Sequence, residues 1–261
     1  MADAPRVLVI AATDSSGGAG LTRDLQTLTA WRVEACCAVT AVTAQTNAQV
    51  RGIWPLPRDS LAQQIRAALG NGTVAAVKIG MLATAAAVET VAEELPSRER
   101  LPIVLDPVLV SSSGAVLLEA DGIERLRQLL PRVSLLTPNL PEAAALLQAP
   151  LARSEAQMLE QMRALQALGT LAVLLKGGHE SPAGNQVTDR LLTPEGQLHR
   201  LSTRRVPGSR RGTGCSAASA IAAQLARGSS LPAACTAAQE YVAAALAGDP
   251  WRAELLRRPS A

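Results

Sequence analysis

Residues 7 to 20 read VLVIAATDSSGGAG, an uninterrupted apolar run followed by a polar loop that contains three glycines. A short apolar run bounded by glycines is typical of a buried strand. The small residues that follow it favour a tight turn. This stretch therefore predicts a strand, a loop and then a helix, the unit from which parallel sheets are built.

The same alternation continues along the chain. Apolar segments predict strands at 7–12, 35–42, 74–79, 103–105, 134–136 and 171–175, and amphipathic segments predict helices at 60–69, 83–94, 123–130 and 155–168. Two alternating segments within 187–201 predict a β-hairpin, and helices are predicted at 217–225 and 233–246. We therefore expect an α/β fold in a single domain of residues 1–261, with a mainly parallel central sheet and helices on both faces.

The composition excludes several classes of function. Aromatic residues make up only 2% of the chain, which argues against a surface that stacks nucleic-acid bases. The net charge of +3 is too small to indicate a polyanionic partner. We find no apolar run long enough for a membrane helix and no signal-peptide pattern, so we expect a cytoplasmic protein that binds neither nucleic acid nor membrane.

Cysteine and lysine are both sparse. The four cysteines include no Cys-x-x-Cys pair, which argues against a zinc site or a disulfide framework and fits a reducing compartment. The two lysines, Lys78 and Lys176, each follow an apolar run and precede a glycine. A coding bias toward arginine explains their rarity, and so does a requirement for lysine at strand ends where arginine does not fit.

Polar and glycine-containing segments follow the predicted strands in order. These segments are 14–20, 43–47, 78–81, 106–108, 137–142 and 176–179. Ligands of open parallel sheets bind beyond the carboxyl ends of the strands. We therefore expect these segments to surround one site.

The segment Gly212-Thr213-Gly214-Cys215-Ser216 opens a helix of small residues. Converging backbone N–H groups and the helix dipole suit a phosphate or a developing oxyanion there. A thiol in the first helical turn is biased toward thiolate, although an ordinary helix start with a small buried cysteine explains the same pattern. Arg204, Arg205, Arg210 and Arg211 lie just upstream, either as a solvated loop or as a phosphate-attracting cluster.

Three oxygen-bearing residues lie at predicted strand ends. Asn139 and Glu142 flank a predicted helix start. The helix dipole stabilises a glutamate there, and the same carboxylate can also hold Mg²⁺. Asp106 is a candidate second acid or a turn residue. Neither a dinucleotide fingerprint nor a P-loop occurs in the chain, so any phosphate transfer uses another architecture.

Taken together, segments 14–20, 43–45, 78–82, 105–108, 137–143, 176–179 and 212–215 resemble the hydroxymethylpyrimidine/phosphomethylpyrimidine kinases of thiamine biosynthesis, in the ribokinase-like superfamily. The resemblance implies a ribokinase-like three-layer sandwich, usually in a homodimer. It also implies two successive phosphoryl transfers from ATP, first to 4-amino-5-hydroxymethyl-2-methylpyrimidine and then to its monophosphate.

The same resemblance implies roles for individual residues. Cys215 matches the catalytic base, and Gly212, Thr213 and Gly214 match the anion hole. In the pyrimidine pocket, Gln45 matches the side chain that reads the aminopyrimidine edge, Met81 and Val108 match apolar walls, and Asp24 matches a pocket acid. Asn139 and Glu142 match an element near Mg²⁺ and the phosphates, and Lys176 falls where a cation can neutralise ATP. From its place at a strand end, we expect Asp106 to be the second metal ligand beside Glu142.

Some positions depart from the family pattern. Arg211 stands where a histidine commonly precedes the Gly-Thr-Gly-Cys turn, and we expect it to supply phosphate-binding charge in its place. Thr22, Arg23 and Gln26 around Asp24 also differ, as do Ala12 and the order Thr46-Asn47. The tail from Trp251 lacks the Gly/His-rich segment of many members.

Three other functions compete with this interpretation. Pyridoxal kinase shares the superfamily, but its substrate lacks the aminopyrimidine edge that Gln45 suits. A non-catalytic pyrimidine sensor has no use for a base and a metal site. A cysteine hydrolase needs a partner for Cys215, and neither His179 nor His199 has an obvious partner spacing.

Overall fold

A computed structural model describes residues 4–99, 101–179, 185–206 and 211–248 of the chain. The strands are β1 (Arg6–Ala11), β2 (Glu34–Val39), β3 (Ala41–Gln45), β4 (Val50–Pro55), β5 (Val74–Ile79), β6 (Ile103–Leu105), β7 (Leu135–Leu136), β8 (Ala172–Leu175), β9 (Gln186–Leu192) and β10 (Leu198–Arg204). The helices are α1 (Gly20–Ala30), α2 (Arg58–Gly70), α3 (Ala85–Glu94), α4 (Ala120–Leu129), α5 (Leu140–Leu147), α6 (Glu155–Ala167), α7 (Thr213–Ala226) and α8 (Leu231–Leu246). The C-terminal tail from Trp251 lies outside the described residues.

One eight-stranded sheet runs through the molecule in the order β10-β9-β8-β7-β6-β5-β1-β2. Strands β2, β1, β5, β6, β7 and β8 pair in parallel, and β9 and β10 extend the sheet as the predicted antiparallel hairpin. The expected mainly parallel sheet is confirmed. The strand order reverses at β1, because β2 lies on one side of it and β5 and the later strands lie on the other. At such a reversal a crevice opens beyond the carboxyl ends of the neighbouring strands.

Two aliphatic cores cover the two faces of the sheet. Leu8 and Ile10 of β1 face a core that α2, α3, α4, α5 and α6 complete. Val7 and Val9 face the opposite core, which α1, α7 and α8 complete. Successive side chains of a strand point to opposite faces, so a strand buried on both sides reads as a continuous apolar run.

The single strand predicted over residues 35–42 is wrong, because the chain leaves the central sheet at Thr40. The Thr40 N–H donates to the Ala11 carbonyl at 3.1 Å, and its hydroxyl donates to the Met81 carbonyl at 2.7 Å. The residues before Thr40 form β2 at the sheet edge, and those after it form β3.

Strands β3 and β4 form a separate two-stranded antiparallel sheet. The sequence pattern did not predict β4. The hairpin lies over the loop after β1, where the Thr43 N–H donates to Thr13 Oγ1 at 3.1 Å and the Thr43 hydroxyl donates to the Thr13 carbonyl at 2.7 Å. Residues 43–45 therefore reach the ligand-binding edge from a covering hairpin and not from the end of a central strand.

Within the described ranges, no helix combines the length and the apolar character that crossing a membrane requires.

Candidate active site

A cleft of about 740 Å³ opens at the carboxyl ends of the parallel strands. The loop after β1, the β3–β4 hairpin, segment 108–118 and the start of α7 border it. The structure brings most of the candidate residues to this cleft: Gln45, Met81, Asp106, Val108, Asn139, Glu142, Lys176, Arg211, Gly212, Thr213, Gly214 and Cys215.

The turn before α7 requires glycine at Gly212. Its φ of +78° lies in the left-handed region, and a Cβ atom built on it would lie 2.4 Å from the Gly18 carbonyl oxygen. A side chain at Gly212 therefore could not fit without separating this turn from the loop after β1. Thr213 begins α7, and its N-terminus faces the cleft.

A second helix also begins at the cleft. Gly20, the first residue of α1, has a φ of +56°, and a Cβ atom there would lie 2.6 Å from the Ala12 carbonyl oxygen. The first turns of α1 and α7 therefore both border the cleft, where unpaired N–H groups and the helix dipoles favour negative charge.

Cys215 lies in the first turn of α7 and is partly buried. Burial raises its pKa to about 11; the charge of Lys78 and a backbone hydrogen bond with Gly20 lower it, but by less. The carboxylates of Asp24 and Asp106 raise it further. The expectation that the helix start biases this thiol toward thiolate is therefore wrong, and the thiol is protonated at neutral pH.

Lys176 carries a positive charge into the cleft. Its Nζ atom lies 2.7 Å from Asp106 Oδ1 and 3.8 Å from Glu142 Oε2. Burial lowers the pKa of Lys176, but the two carboxylates outweigh burial and raise the pKa overall, so the ammonium stays protonated. A Cβ atom on Gly214 would lie 3.3 Å from this Nζ, so glycine lets the ammonium approach the turn before α7.

Asn139 and Glu142 form a reciprocal cap at the start of α5. Asn139 Oδ1 accepts from the Glu142 N–H, and Glu142 Oε2 accepts from the Asn139 N–H, both at 2.8 Å. Burial raises the pKa of Glu142, and Lys176 opposes that rise. Glu142 thus has a structural role, and it also lines the cleft.

The two acids fit a nucleotide-bound magnesium ion better than a resident metal centre. Among the described residues, no group of three or more His, Cys, Asp or Glu side chains is placed to hold a metal. Asp106 and Glu142 both contact Lys176 and both line the cleft. Phosphate-bound Mg²⁺ takes one or two carboxylates from the protein and completes its shell with water and phosphate oxygens. Asp106 and Glu142 can supply those carboxylates.

The structure does not bring Asp24 to the cleft. Its side chain has no exposed surface; Oδ2 accepts from Lys78 Nζ at 2.7 Å and Oδ1 accepts from Ser219 Oγ at 2.8 Å. Burial lowers the pKa of Lys78, but Asp24, Cys215 and Asp106 together outweigh burial and raise the pKa overall. Asp24 was expected to be an acid of the substrate pocket, but in the structure it is the counter-ion of Lys78. Lys78, and not Asp24, borders the cleft.

Gln45 lines the cleft with both ends of its amide engaged. Its Oε1 accepts from Arg211 Nη2 at 2.7 Å, and its Nε2 donates to Thr43 Oγ1 at 2.7 Å. The guanidinium of Arg211 also lies 3.2 Å from Asp14 Oδ2. Arg211 is thus directed at the expected pyrimidine reader and not at a free anion site.

The other arginines of the upstream run do not line the cleft as far as the structure describes them. Arg204 ends β10 and is exposed, and the Arg205 N–H donates to the Asn185 carbonyl at 2.8 Å. Arg210 lies outside the described residues.

Apolar side chains wall the cleft. Met81 is buried, with Val108 packed against the same small cluster, and both line the cleft. Val110 and Val116 pair across a loop that also lines the cleft, and they remain 51% and 64% exposed. No local pattern in the sequence marks this loop.

Asp189 on β9 supports the cleft from behind the turn after Lys176, a role that the sequence pattern does not predict. Its Oδ1 accepts from the Gly177 N–H at 2.8 Å and its Oδ2 accepts from Gln239 Nε2 at 3.1 Å. It thereby fixes the turn that follows Lys176. The partners lie 12 and 50 residues away, so no local motif marks them.

The profile of the phosphomethylpyrimidine kinase family matches residues 14–256. The chain belongs to this family. A hydroxymethylpyrimidine/phosphomethylpyrimidine kinase from Salmonella typhimurium is 45% identical over 92% of this chain and 90% of its own.

Two solved structures are similar along nearly the whole chain. One is an ADP complex of pyridoxal kinase from Bacillus subtilis, with a TM-score of 0.85 and 29% identity, covering 94% of this chain and 92% of that one. The other is phosphomethylpyrimidine kinase from Clostridium difficile, with a TM-score of 0.80 and 30% identity, covering 93% and 99%. The ribokinase-like fold expected from the sequence is thus confirmed.

Proposed function

We propose that this member of the family transfers phosphate from ATP to 4-amino-5-hydroxymethyl-2-methylpyrimidine and then to the resulting monophosphate, as a step of thiamine biosynthesis. One observation carries the proposal. A single cleft joins an amide side chain and apolar walls, suited to an aminopyrimidine, to a glycine turn and a lysine, suited to phosphates.

The pyrimidine would lie between Met81 and Val108, with its amino edge at Gln45. An amide offers a donor and an acceptor side by side, which matches a ring nitrogen next to an exocyclic amine. Gln45 and Cys215 line the same cleft, so a ring bound at Gln45 would have its hydroxymethyl group in the cavity that the start of α7 borders.

The phosphates of ATP would lie against the N–H groups of residues 212–214 and the ammonium of Lys176. Phosphoryl transfer depends mostly on positioning and on stabilisation of charge, which a preorganised turn and a fixed ammonium supply. Asn139, whose side chain caps α5, holds Glu142 in place beside Lys176.

Mg²⁺ bound with ATP would neutralise phosphate charge, and Asp106 and Glu142 would hold it. In the first transfer the hydroxyl oxygen bonds to the γ-phosphorus, the bond from that phosphorus to the bridging oxygen breaks, and ADP leaves. We assign the hydroxyl proton to Cys215 once its thiol has ionised. In the second transfer the nucleophile is an oxygen of the monophosphate, already anionic at neutral pH since its second pKa is about 6.

The experiment measures ADP released per pyrimidine supplied, with Mg-ATP in excess, for the wild type and for Cys215→Ala. Two ADP per pyrimidine would support both transfers, and one would restrict the chain to the first. No release alongside measurable pyrimidine binding would indicate the sensor and contradict the proposal.

Pyridoxal is assayed in parallel, because one similar structure is a pyridoxal kinase. Release of ADP with pyridoxal alone would overturn the pyrimidine assignment. The identity to the pyrimidine kinase from Salmonella, 45% against 29% for that pyridoxal kinase, favours the pyrimidine.

We further propose that the chain acts as a single domain, as a homodimer and in the cytoplasm. One sheet connects β1 to β10, which supports a single domain. Val42 and Trp54 are directly opposite on the β3–β4 hairpin and are 48% and 59% exposed, which supports a covering partner. The four cysteines are free thiols, as in a reducing compartment.

A further inference from the structure

The guanidinium of Arg211 joins separate segments at the mouth of the cleft. Its Nε donates to Ser112 Oγ at 3.3 Å, and its Nη1 donates to Ser16 Oγ at 3.0 Å and to the Thr46 carbonyl at 2.8 Å. These partners belong to the loop over the cleft, the loop after β1 and the β3–β4 turn.

The remaining nitrogen contacts the expected reader of the substrate. Arg211 Nη2 donates to Gln45 Oε1 at 2.7 Å and lies 3.2 Å from Asp14 Oδ2. A guanidinium has five N–H donors, and five acceptors surround this one. Four of these N–H groups are hydrogen-bonded to protein oxygens, and the fifth faces the Asp14 carboxylate without a hydrogen bond. The guanidinium is thus directed at the protein, which argues against the phosphate-binding role expected from its place in the sequence.

The hydrogen bonds from Arg211 run in one direction only. A guanidinium only donates, so Gln45 must present its oxygen to Arg211 and its Nε2 to Thr43. The Thr43 hydroxyl accepts from Nε2 and gives its own proton to the Thr13 carbonyl at 2.7 Å. A reversed amide would place an NH₂ group against the guanidinium, so Arg211 and Thr43 together fix which end of the amide is which.

The fixed amide retains one N–H and one oxygen lone pair for a ligand. These form an adjacent donor and acceptor of known order, to which an aminopyrimidine edge can pair in one orientation only. We propose that Arg211 is a positioning residue that locks the Gln45 amide and so determines both the orientation of the ring and the preference for its amino group. This inference rests on the proposed function, because it takes the pyrimidine as the ligand of Gln45.

The test is equilibrium binding by calorimetry without nucleotide, using the hydroxymethylpyrimidine and an analogue that carries hydrogen in place of the 4-amino group. We expect the wild type to prefer the amino compound by about tenfold or more, because a site built to hydrogen-bond a group rejects the ligand that lacks it. Arg211→Met should reduce this preference to about twofold or less, and so should Gln45→Leu. The double variant should lose no more, since both residues act through one amide.

Two further variants separate positioning from charge and from folding. Arg211→Lys keeps the charge without the planar fork, and it should not restore the preference. Arg200→Met removes an arginine that is 57% exposed and paired with Glu155 away from the cleft, and it should leave the preference unchanged. The KM for ATP should stay within about twofold of the wild type in Arg211→Met, because a positioning residue of the pyrimidine pocket does not bind phosphate.

A preference retained in both Arg211→Met and Arg211→Lys would overturn the inference. A raised KM for ATP with an unchanged preference would also overturn it and would return Arg211 to phosphate binding. A wild type that binds neither compound would instead contradict the proposed function, so the two failures are distinguishable.

Discussion

Lys78 Nζ lies 2.7 Å from Asp24 Oδ2, and neither side chain has any exposed surface. The pair links the two layers behind the cleft, since Lys78 lies on β5 and Asp24 on α1. Among the groups that lower the pKa of Cys215, Lys78 has the largest effect. The ion pair with Asp24 therefore holds the ammonium of Lys78 where it lowers the pKa of the candidate base, Cys215.

Asp24→Asn should destabilise the protein by about 3–5 kcal/mol, because it leaves the ammonium of Lys78 buried without a counter-ion. Urea unfolding followed by circular dichroism measures the loss. The matched control is Glu34→Gln, whose partner Arg6 lies in a surface pair and whose loss should cost about 0–1 kcal/mol. The double variant Asp24→Asn with Lys78→Met should be more stable than Asp24→Asn alone. Equal costs for Asp24→Asn and Glu34→Gln would contradict the buried pairing.

Gly212→Ala should reduce kcat/KM by about 100-fold or more, the cost of losing one well-placed oxyanion donor. The new methyl group would collide with the Gly18 carbonyl and move the N–H groups that open α7. Gly228→Ala is the matched control, because Gly228 has a similar φ of +83° with open space around it. It should keep activity within about twofold and lose roughly 1–2 kcal/mol of stability from the strained backbone alone. Similar activities in the two variants would exclude the collision as the cause.

The residues of the cleft were predictable from the sequence, because the carboxyl ends of parallel strands meet at one edge of the sheet. Most polar segments that follow an apolar run are carried there by a strand of the central sheet, and most candidate residues accordingly line the cleft. Residues 43–45 are the exception, because they reach the cleft from the β3–β4 hairpin. The break at Thr40 was not predictable, since the apolar pattern of residues 35–42 continues through it.

The contacts between distant segments could not be predicted. Lys78 and Asp24 are 54 residues apart, and Arg211 reaches Gln45 across 166 residues. The pKa of Cys215 shows the same limit. A local rule about helix N-termini predicts a lowered value, whereas burial, which only the packed structure reveals, raises it.

Trp54→Glu should convert a homodimer into a monomer. The change buries a carboxylate in the exposed apolar pair that Trp54 forms with Val42, and an uncompensated charge opposes association. Light scattering coupled to size-exclusion chromatography would show twice 27.1 kDa for the wild type and 27.1 kDa for the variant. Leu151→Glu, at a residue that is 47% exposed elsewhere, should leave the dimer intact. A dimer that persists in Trp54→Glu would exclude the β3–β4 face as the interface.

The two phosphoryl transfers should differ in their pH dependence. The first needs the proton of an alcohol removed, and the Cys215 thiol has a pKa of about 11, so its rate should rise with pH by up to about tenfold per unit between pH 7 and 9. The second starts from a phosphate that is already anionic above its second pKa of about 6, so its rate should be nearly flat over that range. Single-turnover assays with the alcohol and with the monophosphate measure the two steps separately. Cys215→Ala should slow the first step by about 100-fold or more and remove its pH dependence. Cys37→Ala is the matched control, because the pKa of that thiol is also about 11. It should change neither step, because Cys37 lies on β2, outside the cleft. Equal losses in both steps of Cys215→Ala would show that the thiol positions substrate and does not accept the proton.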